Sequence, residues 1–145
     1  MEYRKFGSTY VLRLAIDEDI SEQLLELARR EDITLANVSG IGATDDFTVG
    51  VFNLEKQAYD EKHFTGNHEI TALCGNLTRM DGRPYAHLHI SCADSEGRLV
   101  GGHLIRARIS LTAEIIVRTI RGSVGRRRDE DKKINLLDFG WQPMY

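Results

Sequence analysis

Three of the five histidines in this sequence fall in one short segment, HLHISCADSEGRLVGGH, as His87, His89 and His103. Residues two apart in a β-strand point to the same face, so His87 and His89 would present their imidazole rings side by side. Imidazole is a common ligand of protein-bound metal ions. This spacing therefore raises the possibility of a metal site on one strand, provided that a further ligand joins the pair.

His103 can supply that ligand if the segment folds as a hairpin. A three-residue loop ending in Gly97, which would take the left-handed conformation, pairs Asp94 with Arg98. Counting back from this pair places His103 directly opposite His89, on the same face of the hairpin. The sequence therefore predicts three imidazoles converging on one ion.

Other registers give a different result. A two-residue loop would turn His103 to the opposite face of the hairpin. A bulge at Gly101–Gly102 would also change the register of the two strands. With three histidines in register, zinc is the first choice of ion, although nickel, cobalt, iron or copper fits the same donors. Three protein ligands leave a fourth position for water or substrate, as in catalytic zinc sites.

The remaining histidines are not assigned as ligands. His63 and His68 are predicted to flank a turn, residues 64–67, and to lie in solvent or beside the ligands. Three carboxylates are candidates for moving protons near an ion, but their positions do not follow from the sequence, and no catalytic residue is assigned. These candidates are Glu69, Asp94 and Glu114.

The elements that must position the histidines are mostly strands. Residues 10–16 nearly alternate, as in a strand, and residues 19–31 carry one apolar stripe typical of an amphipathic helix, with Asp19 as its cap. From Ile33 onward, short β-branched and aromatic runs are separated by turn-forming residues. The predicted fold class is α/β (α+β), a mostly antiparallel, curved β-sheet packed with one main helix.

Near the end of the chain, the tract VGRRRDEDKK is predicted to be a solvated turn, because bases and acids nearly balance and no aromatic residue is interleaved. The following run, INLLDFGW, could add a last strand. The turn-like DGRP at residues 81–84 lacks the first arginine of an Arg-Gly-Arg-Pro minor-groove element, and a β-turn is the better interpretation.

Composition restricts the class of protein. The 145 residues are 41% hydrophobic and 28% charged, with a net charge of −3, which is typical of a globular domain and unlike a strongly cationic nucleic-acid-binding body. We expect a single domain over residues 1–145. Cys74 and Cys92 are predicted to be apolar fillers within strands. The polar N-terminus and the lack of a long apolar run predict a cytoplasmic protein with no membrane partner.

The runs GNHEITALCGNL and HLHISCADSEGRLVGGHL resemble the core of the plants-and-prokaryotes-conserved (PPC) domain, and GIGATDDFTVGVFN is similar to its glycine-rich strand. The resemblance covers residues 10–139. It implies a PPC-like fold, a homotrimer, metal ligation by the three histidines, and similarity to α-acetolactate decarboxylase. Bacterial and archaeal members are also often described as DNA-binding.

Three hypotheses for the function follow. The first is a stand-alone PPC-domain protein that binds zinc through the three histidines and exposes it to a small-molecule ligand, with DNA binding as the family label; its alternative is a metal-dependent enzyme acting on a small carbonyl, carboxylate or ester substrate. The second is a DNA-associated regulatory module, in which the loop Arg126–Arg128 contacts DNA. The third is an oligomeric interaction domain without catalysis, in which a metal ion only stabilises the hairpin.

Overall fold

The computed structural model describes residues 1–140, which form one helix and eight strands. In chain order these elements are β1 (Glu2–Phe6), β2 (Thr9–Leu14), α1 (Ile20–Arg30), β3 (Ala36–Asn53), β4 (Ala58–Met80), β5 (Arg83–Ala93), β6 (Leu99–Thr119), β7 (Gly125–Asp129) and β8 (Ile134–Asp138).

The eight strands form one sheet in the order β1-β2-β6-β3-β4-β7-β8, with β5 paired to both β4 and β6. Strands β3, β4, β5 and β6 therefore make a closed circuit of antiparallel pairs. A circuit of four strands can close only if the sheet bends strongly. The predicted mostly antiparallel, curved sheet is thus confirmed, and β7 meets β4 in a parallel bridge.

Helix α1 lies against β5 and β6, and its first turn is fixed by Asp19. One carboxylate oxygen of Asp19 accepts a hydrogen bond from the backbone N–H of Glu22 at 3.0 Å, and the other accepts from the N–H of Ala107 at 3.1 Å. The same side chain therefore caps the helix and ties it to β6. The predicted apolar stripe is buried in the core: Ile20, Leu24, Leu27 and Ala28.

Strand β1 was not expected from the sequence. It pairs with β2 at the edge of the sheet, and most of its residues are exposed, so its composition is polar and charged. A strand that packs little against the core carries no hydrophobic alternation to reveal it. Strand β2 spans Thr9–Leu14, somewhat shorter than the predicted 10–16.

The predicted short strands merge into three long ones, β3, β4 and β6. Turn-forming residues inside them mark bulges rather than strand ends, such as the register shifts at Gly40–Gly42 and Thr44–Asp46 in β3. The predicted turn at residues 64–67 is therefore wrong. His63 and His68 both lie within β4, where Gly66, with φ of 90°, lies beside the second shift.

The charged tract near the end of the chain is a solvated turn only in its second half, residues 130–133. Its arginines form β7, which pairs with β8 as an antiparallel hairpin, and Arg126 is only 6% exposed. The last strand predicted in INLLDFGW is confirmed as β8, although Trp141 lies outside the described residues. Alternation along β7 turns Arg126 inward and leaves Arg127 in solvent.

The two cysteines differ in their surroundings. Cys92 is fully buried in the core, and burial raises the pKa of its thiol to about 12. Cys74 is exposed on the sheet, so only Cys92 is an apolar filler as predicted. Both thiols are free.

Helix α1, the only helix found within residues 1–140, has 11 residues. In that part of the chain, no helix has the length and apolar character needed to cross a bilayer.

Gly75 of β4 brings β5 close to β4, and its replacement should destabilise the sheet. A Cβ at this position would lie 2.0 Å from the carbonyl oxygen of His87, and φ is +156°. We expect Gly75→Ala to lower the free energy of unfolding by about 3 kcal/mol. Urea denaturation followed by circular dichroism measures the loss.

Gly66→Ala is the control for this substitution. Gly66 also has positive φ, but a Cβ added there would have no atom within 4 Å, so its replacement should cost about 1 kcal/mol. Equal losses in the two variants would contradict the close approach of β4 and β5.

Candidate metal centre

The hairpin formed by β5 and β6 positions the three histidines. The backbone N–H of Asp94 donates to the carbonyl oxygen of Arg98 at 3.1 Å, and Gly97 takes φ of 76° in the loop between them. The pairing continues without a register shift to His89 opposite His103. The predicted loop and register are therefore confirmed, and Gly101–Gly102 introduces no bulge between β5 and β6.

The three imidazoles lie at the corners of a nearly regular triangle. Ring centroids are 5.4 Å apart for His87 and His89, 5.2 Å for His87 and His103, and 5.5 Å for His89 and His103. One ring nitrogen from each residue lies within 4.8 Å of the other two. His89 is exposed, whereas His87 and His103 are partly buried, so the triangle has one side open to solvent.

Tyr59 fixes the position of His103 from the side of β3 and β4. The two rings stack with centroids 4.6 Å apart and planes inclined by 20°. Gly50 of β3 pairs with His103, and a Cβ there would lie 2.8 Å from the Tyr59 ring. The absence of a side chain at Gly50 therefore leaves space for Tyr59 to cover one face of His103.

The environment favours neutral imidazoles. Partial burial lowers the pKa of His103 to about 4, with smaller contributions from His87 and His89. The pKa of His87 is also lowered, first by burial and then by the charge of Arg126. A metal ligand must be the neutral imidazole, so these shifts keep the rings in the form that binds a cation.

A cleft of about 640 Å³ opens beside His87 and His103, between the sheet and the β7–β8 hairpin. Aromatic and aliphatic side chains form much of its wall, and Arg126 also lines it. The other lining residues are Phe52, Tyr59, Asn76, Tyr85, Arg128, Lys133, Ile134, Asn135, Leu136 and Leu137.

Arg126 connects the hairpin to the histidine triangle. Its Nε donates to Thr78 Oγ1 at 2.9 Å and its Nη2 to Asn76 Oδ1 at 2.8 Å, while Nη2 lies 3.5 Å from His87 Nδ1. The sequence did not reveal this residue, because the charged tract was predicted to be a turn. Reading the tract as a strand beside the apolar β8 could have indicated that one of the three arginines is turned inward.

The other histidines lie away from the triangle. Nε2 of His63 is 2.8 Å from an oxygen of Asp46, on an exposed surface. His68 is hydrogen-bonded through Nδ1 to the carbonyl of Gly66 at 2.7 Å.

None of the three candidate carboxylates lines the cleft. Asp94 accepts hydrogen bonds from the side chain and backbone of Arg98, which lower the pKa of its carboxyl. Its role is therefore to stabilise the loop between β5 and β6. Glu69 lines a separate depression near Asp94, and Glu114 lines a groove on the open face of the sheet. Within residues 1–140, no carboxylate is placed to act as a base in the cleft.

We expect His103 to remain neutral in the metal-free protein until the pH falls to about 4. Histidines of the unfolded chain titrate at about pH 6.5, so the unfolded state takes up this proton first as the pH falls. The stability associated with His103 is therefore present above about pH 6.5 and declines between about 6.5 and about 4.

Histidine-selective NMR of chelator-treated protein measures the titration, and urea midpoints at pH 7 and pH 5 measure the stability. The stability of a His103→Gln variant should fall less between pH 7 and pH 5 than that of the wild type. A His103 ring that titrates near the unfolded value in the folded protein would contradict the lowered pKa.

Comparison with known proteins agrees with this architecture. The profile of the Plants and Prokaryotes Conserved domain matches residues 1–121. A crystal structure from Bacteroides thetaiotaomicron, described as a "putative dna binding protein", is 30% identical with a TM-score of 0.92, and the match covers 95% of this chain and 96% of that one. A "metal-containing protein" from Archaeoglobus fulgidus is 30% identical with a TM-score of 0.83, over 93% and 95% of the two chains.

A sequence relative is the bifunctional protein GlmU of a Synechococcus strain, 36% identical over 110 residues, or 74% of this chain. The chain spans only 16% of the length of that protein. Similarity to α-acetolactate decarboxylase stays a prediction. The family match covers most of the described residues, including β1 to β6 and all three histidines. The chain therefore belongs to the Plants and Prokaryotes Conserved domain family.

Proposed function

We propose that this protein binds one divalent transition-metal ion, zinc as first choice, through His87, His89 and His103, and presents it to a small ligand. The observation that carries the proposal is the convergence of three ring nitrogens to within 4.8 Å. Neutral imidazoles suit zinc among the available ions. Three protein ligands leave a coordination position for a small molecule, and the adjoining cleft gives that molecule space.

An unpartnered buried nitrogen supports the same proposal. Nδ1 of His103 is buried and has no hydrogen-bond partner among the described residues, which is costly for a polar group unless a ligand satisfies it. The similar Archaeoglobus fulgidus protein is described as metal-containing, but that description names no ion. A zinc ion bound here would act as a Lewis acid toward an oxygen-containing ligand.

Removing two of the ligands should abolish metal binding. We expect wild-type protein to retain about one zinc ion per chain after dialysis, and the His87→Ala/His89→Ala variant to retain almost none, since one imidazole cannot hold the ion. Inductively coupled plasma mass spectrometry measures the content.

The control is the double variant His63→Ala/His68→Ala, which removes two histidines outside the triangle and should leave the zinc content unchanged. Equal and negligible zinc in the wild type and in both variants would overturn the proposal. Circular dichroism of each variant checks that the fold is retained.

The alternative function is a metal-dependent enzyme acting on a small carbonyl, carboxylate or ester substrate. The cleft beside the histidines favours it, since the cleft offers polar groups around a partly enclosed space. The pKa of Tyr59 is raised, mainly by burial, so its phenol is protonated at neutral pH and can donate a hydrogen bond. No carboxylate is among the described lining residues, so a general base in the cleft would have to come from another type of group.

We also propose that the chain assembles as a homotrimer through the open face of the sheet. A groove of about 930 Å³ on this face is lined partly by apolar residues, including Val11 and Ile41, which are 41% and 56% exposed. Apolar side chains exposed together are typical of an interface between proteins. The cytoplasmic location stays a prediction.

A charge placed in this groove should separate the subunits. We expect light scattering to give the mass of three chains for the wild type and of one chain for Ile41→Lys, because burying an unpaired ammonium is costly. Leu54→Lys is the matched control, since Leu54 is 84% exposed and lies outside the groove. A monomeric wild type would contradict the assembly.

DNA binding is the family label, and the similar Bacteroides protein carries it by description. In this chain the predicted contact loop is changed by the structure, since Arg126 is buried and only Arg127 and Arg128 are exposed. The net charge of −3 also opposes binding to phosphates. We therefore expect weak binding that depends on these two arginines.

The expected result is measurable duplex binding at low salt that falls steeply as salt increases. Arg127→Ser/Arg128→Ser should remove it, and Arg29→Ser/Arg30→Ser at the end of α1 should not. Tight binding that persists at high salt in the Arg127/Arg128 variant would exclude this contact.

A further inference from the structure

We infer that the cleft between the histidine triangle and the β7–β8 hairpin binds a small organic carboxylate with an apolar body, and that Arg126 is its anion-binding group. The inference rests on the proposed function only for the contact with a metal ion. Three features of the described residues carry it: a buried guanidinium with no opposite charge, the positive charge of the cleft, and its apolar walls.

The guanidinium of Arg126 is a buried cation without a counter-ion. The residue is 6% exposed, and no carboxylate oxygen within residues 1–140 lies within 4.0 Å of its nitrogens. Burial lowers the pKa of Arg126, yet an arginine side chain stays charged at neutral pH. Buried charges in proteins are normally paired, so an unpaired one points to a missing anion.

The neighbours of Arg126 orient it but do not neutralise it. Thr78, Asn76 and the carbonyl oxygen of Asn135 accept its hydrogen bonds at 2.8 to 2.9 Å, and the Tyr85 ring lies 4.7 Å from its central carbon. All of these partners are uncharged. These bonds use three of its five N–H groups and a fourth faces His87 Nδ1, so the guanidinium is held rigidly with one Nη1 N–H left for a ligand.

The other charged side chains that line the cleft are also positive. Arg128 and Lys133 also line it, and no Asp or Glu is among the described lining residues. Lys133 is paired with Glu130 outside the cleft at 3.1 Å, whereas Arg128 has no such partner in the described part of the chain. A positive cleft in a chain of net charge −3 is a local feature that favours an anion.

The anion-binding position adjoins the histidine triangle. Nη2 of Arg126 lies only 3.5 Å from His87 Nδ1, so a carboxylate at the guanidinium is also beside the histidine triangle. One ligand can therefore use both the cation and the open coordination position.

The apolar side chains that line the cleft favour a ligand whose uncharged part is a hydrocarbon. Aromatic rings and branched aliphatic side chains line the same cleft, whose volume of about 640 Å³ is ample for an aryl or short-chain acid. Much of this wall belongs to β7 and β8, which follow residue 121, where the family match ends. The apolar lining residues are Phe52, Tyr59, Tyr85, Ile134, Leu136 and Leu137.

Benzoate and benzamide form a matched pair of probes, since they differ mainly in charge at the same position. NMR titration of zinc-loaded and of chelator-treated wild-type protein should give benzoate an affinity about tenfold or more above that of benzamide, because charge-assisted hydrogen bonds are the stronger ones. Chemical-shift changes should map to the cleft. Equal affinities in both forms would overturn the inference.

Arg126→Gln tests the residue itself, and Arg127→Gln is its control on the exposed side of the same strand. We expect benzoate affinity to fall about tenfold or more in Arg126→Gln and to remain within about threefold in Arg127→Gln. Benzamide affinity should change little in either. If Arg126→Gln does not fold, the comparison of the two probes on wild-type protein still decides.

The outcomes of the zinc and benzoate measurements distinguish failure of this inference from failure of the proposed function. A wild type that takes up no zinc and still prefers benzoate would support the anion cleft and contradict the metal proposal. Protein that binds zinc through the triangle but does not prefer benzoate would contradict only the inference. Preference for benzoate that survives Arg126→Gln in full would exclude Arg126 as the anion-binding group and overturn the inference.

Discussion

The register between β5 and β6 is the constraint on which the candidate site depends. A shift of one residue would turn His103 to the opposite face of the sheet, and the triangle would lose a corner. The loop after Asp94 sets that register. The carboxylate of Asp94 accepts hydrogen bonds from the backbone N–H groups of Glu96 and Arg98, and Gly97 takes a left-handed conformation. The geometry of a surface loop thereby determines where a polar site forms about five residues away along each strand.

The site places unusual polar groups in a half-buried position on the sheet. Three imidazoles are held near each other, with the pKa of His87 and of His103 lowered by burial, and a guanidinium is buried next to them without an opposite charge. Each arrangement costs free energy in the isolated chain, because polar groups lose hydration without gaining full compensation. Both costs would be offset by ligands of opposite character, a cation for the imidazoles and an anion for Arg126.

The β7–β8 hairpin gives the cleft its chemical character. The sheet by itself presents the histidines on an open face, and the hairpin covers part of that face with Arg126 on one strand and Leu136 on the other. The family profile matches residues 1–121, whereas the structural match to the Bacteroides protein covers 95% of this chain and so includes part of the hairpin. Relatives that keep the histidines but differ in this hairpin would be expected to select different ligands.

The sequence by itself determined the helix from Asp19, the antiparallel pairing of neighbours, the loop at Gly97 and the alignment of His89 with His103, because these depend on local periodicity and short-range counting. It did not reveal β1, the merging of short runs into long strands, or the burial of Arg126. Those features depend on which segments, distant in the sequence, pack against each other in the folded chain. Only the tertiary structure placed β7 against Thr78 and Asn76, and thereby turned one of three identical arginines into part of the cleft.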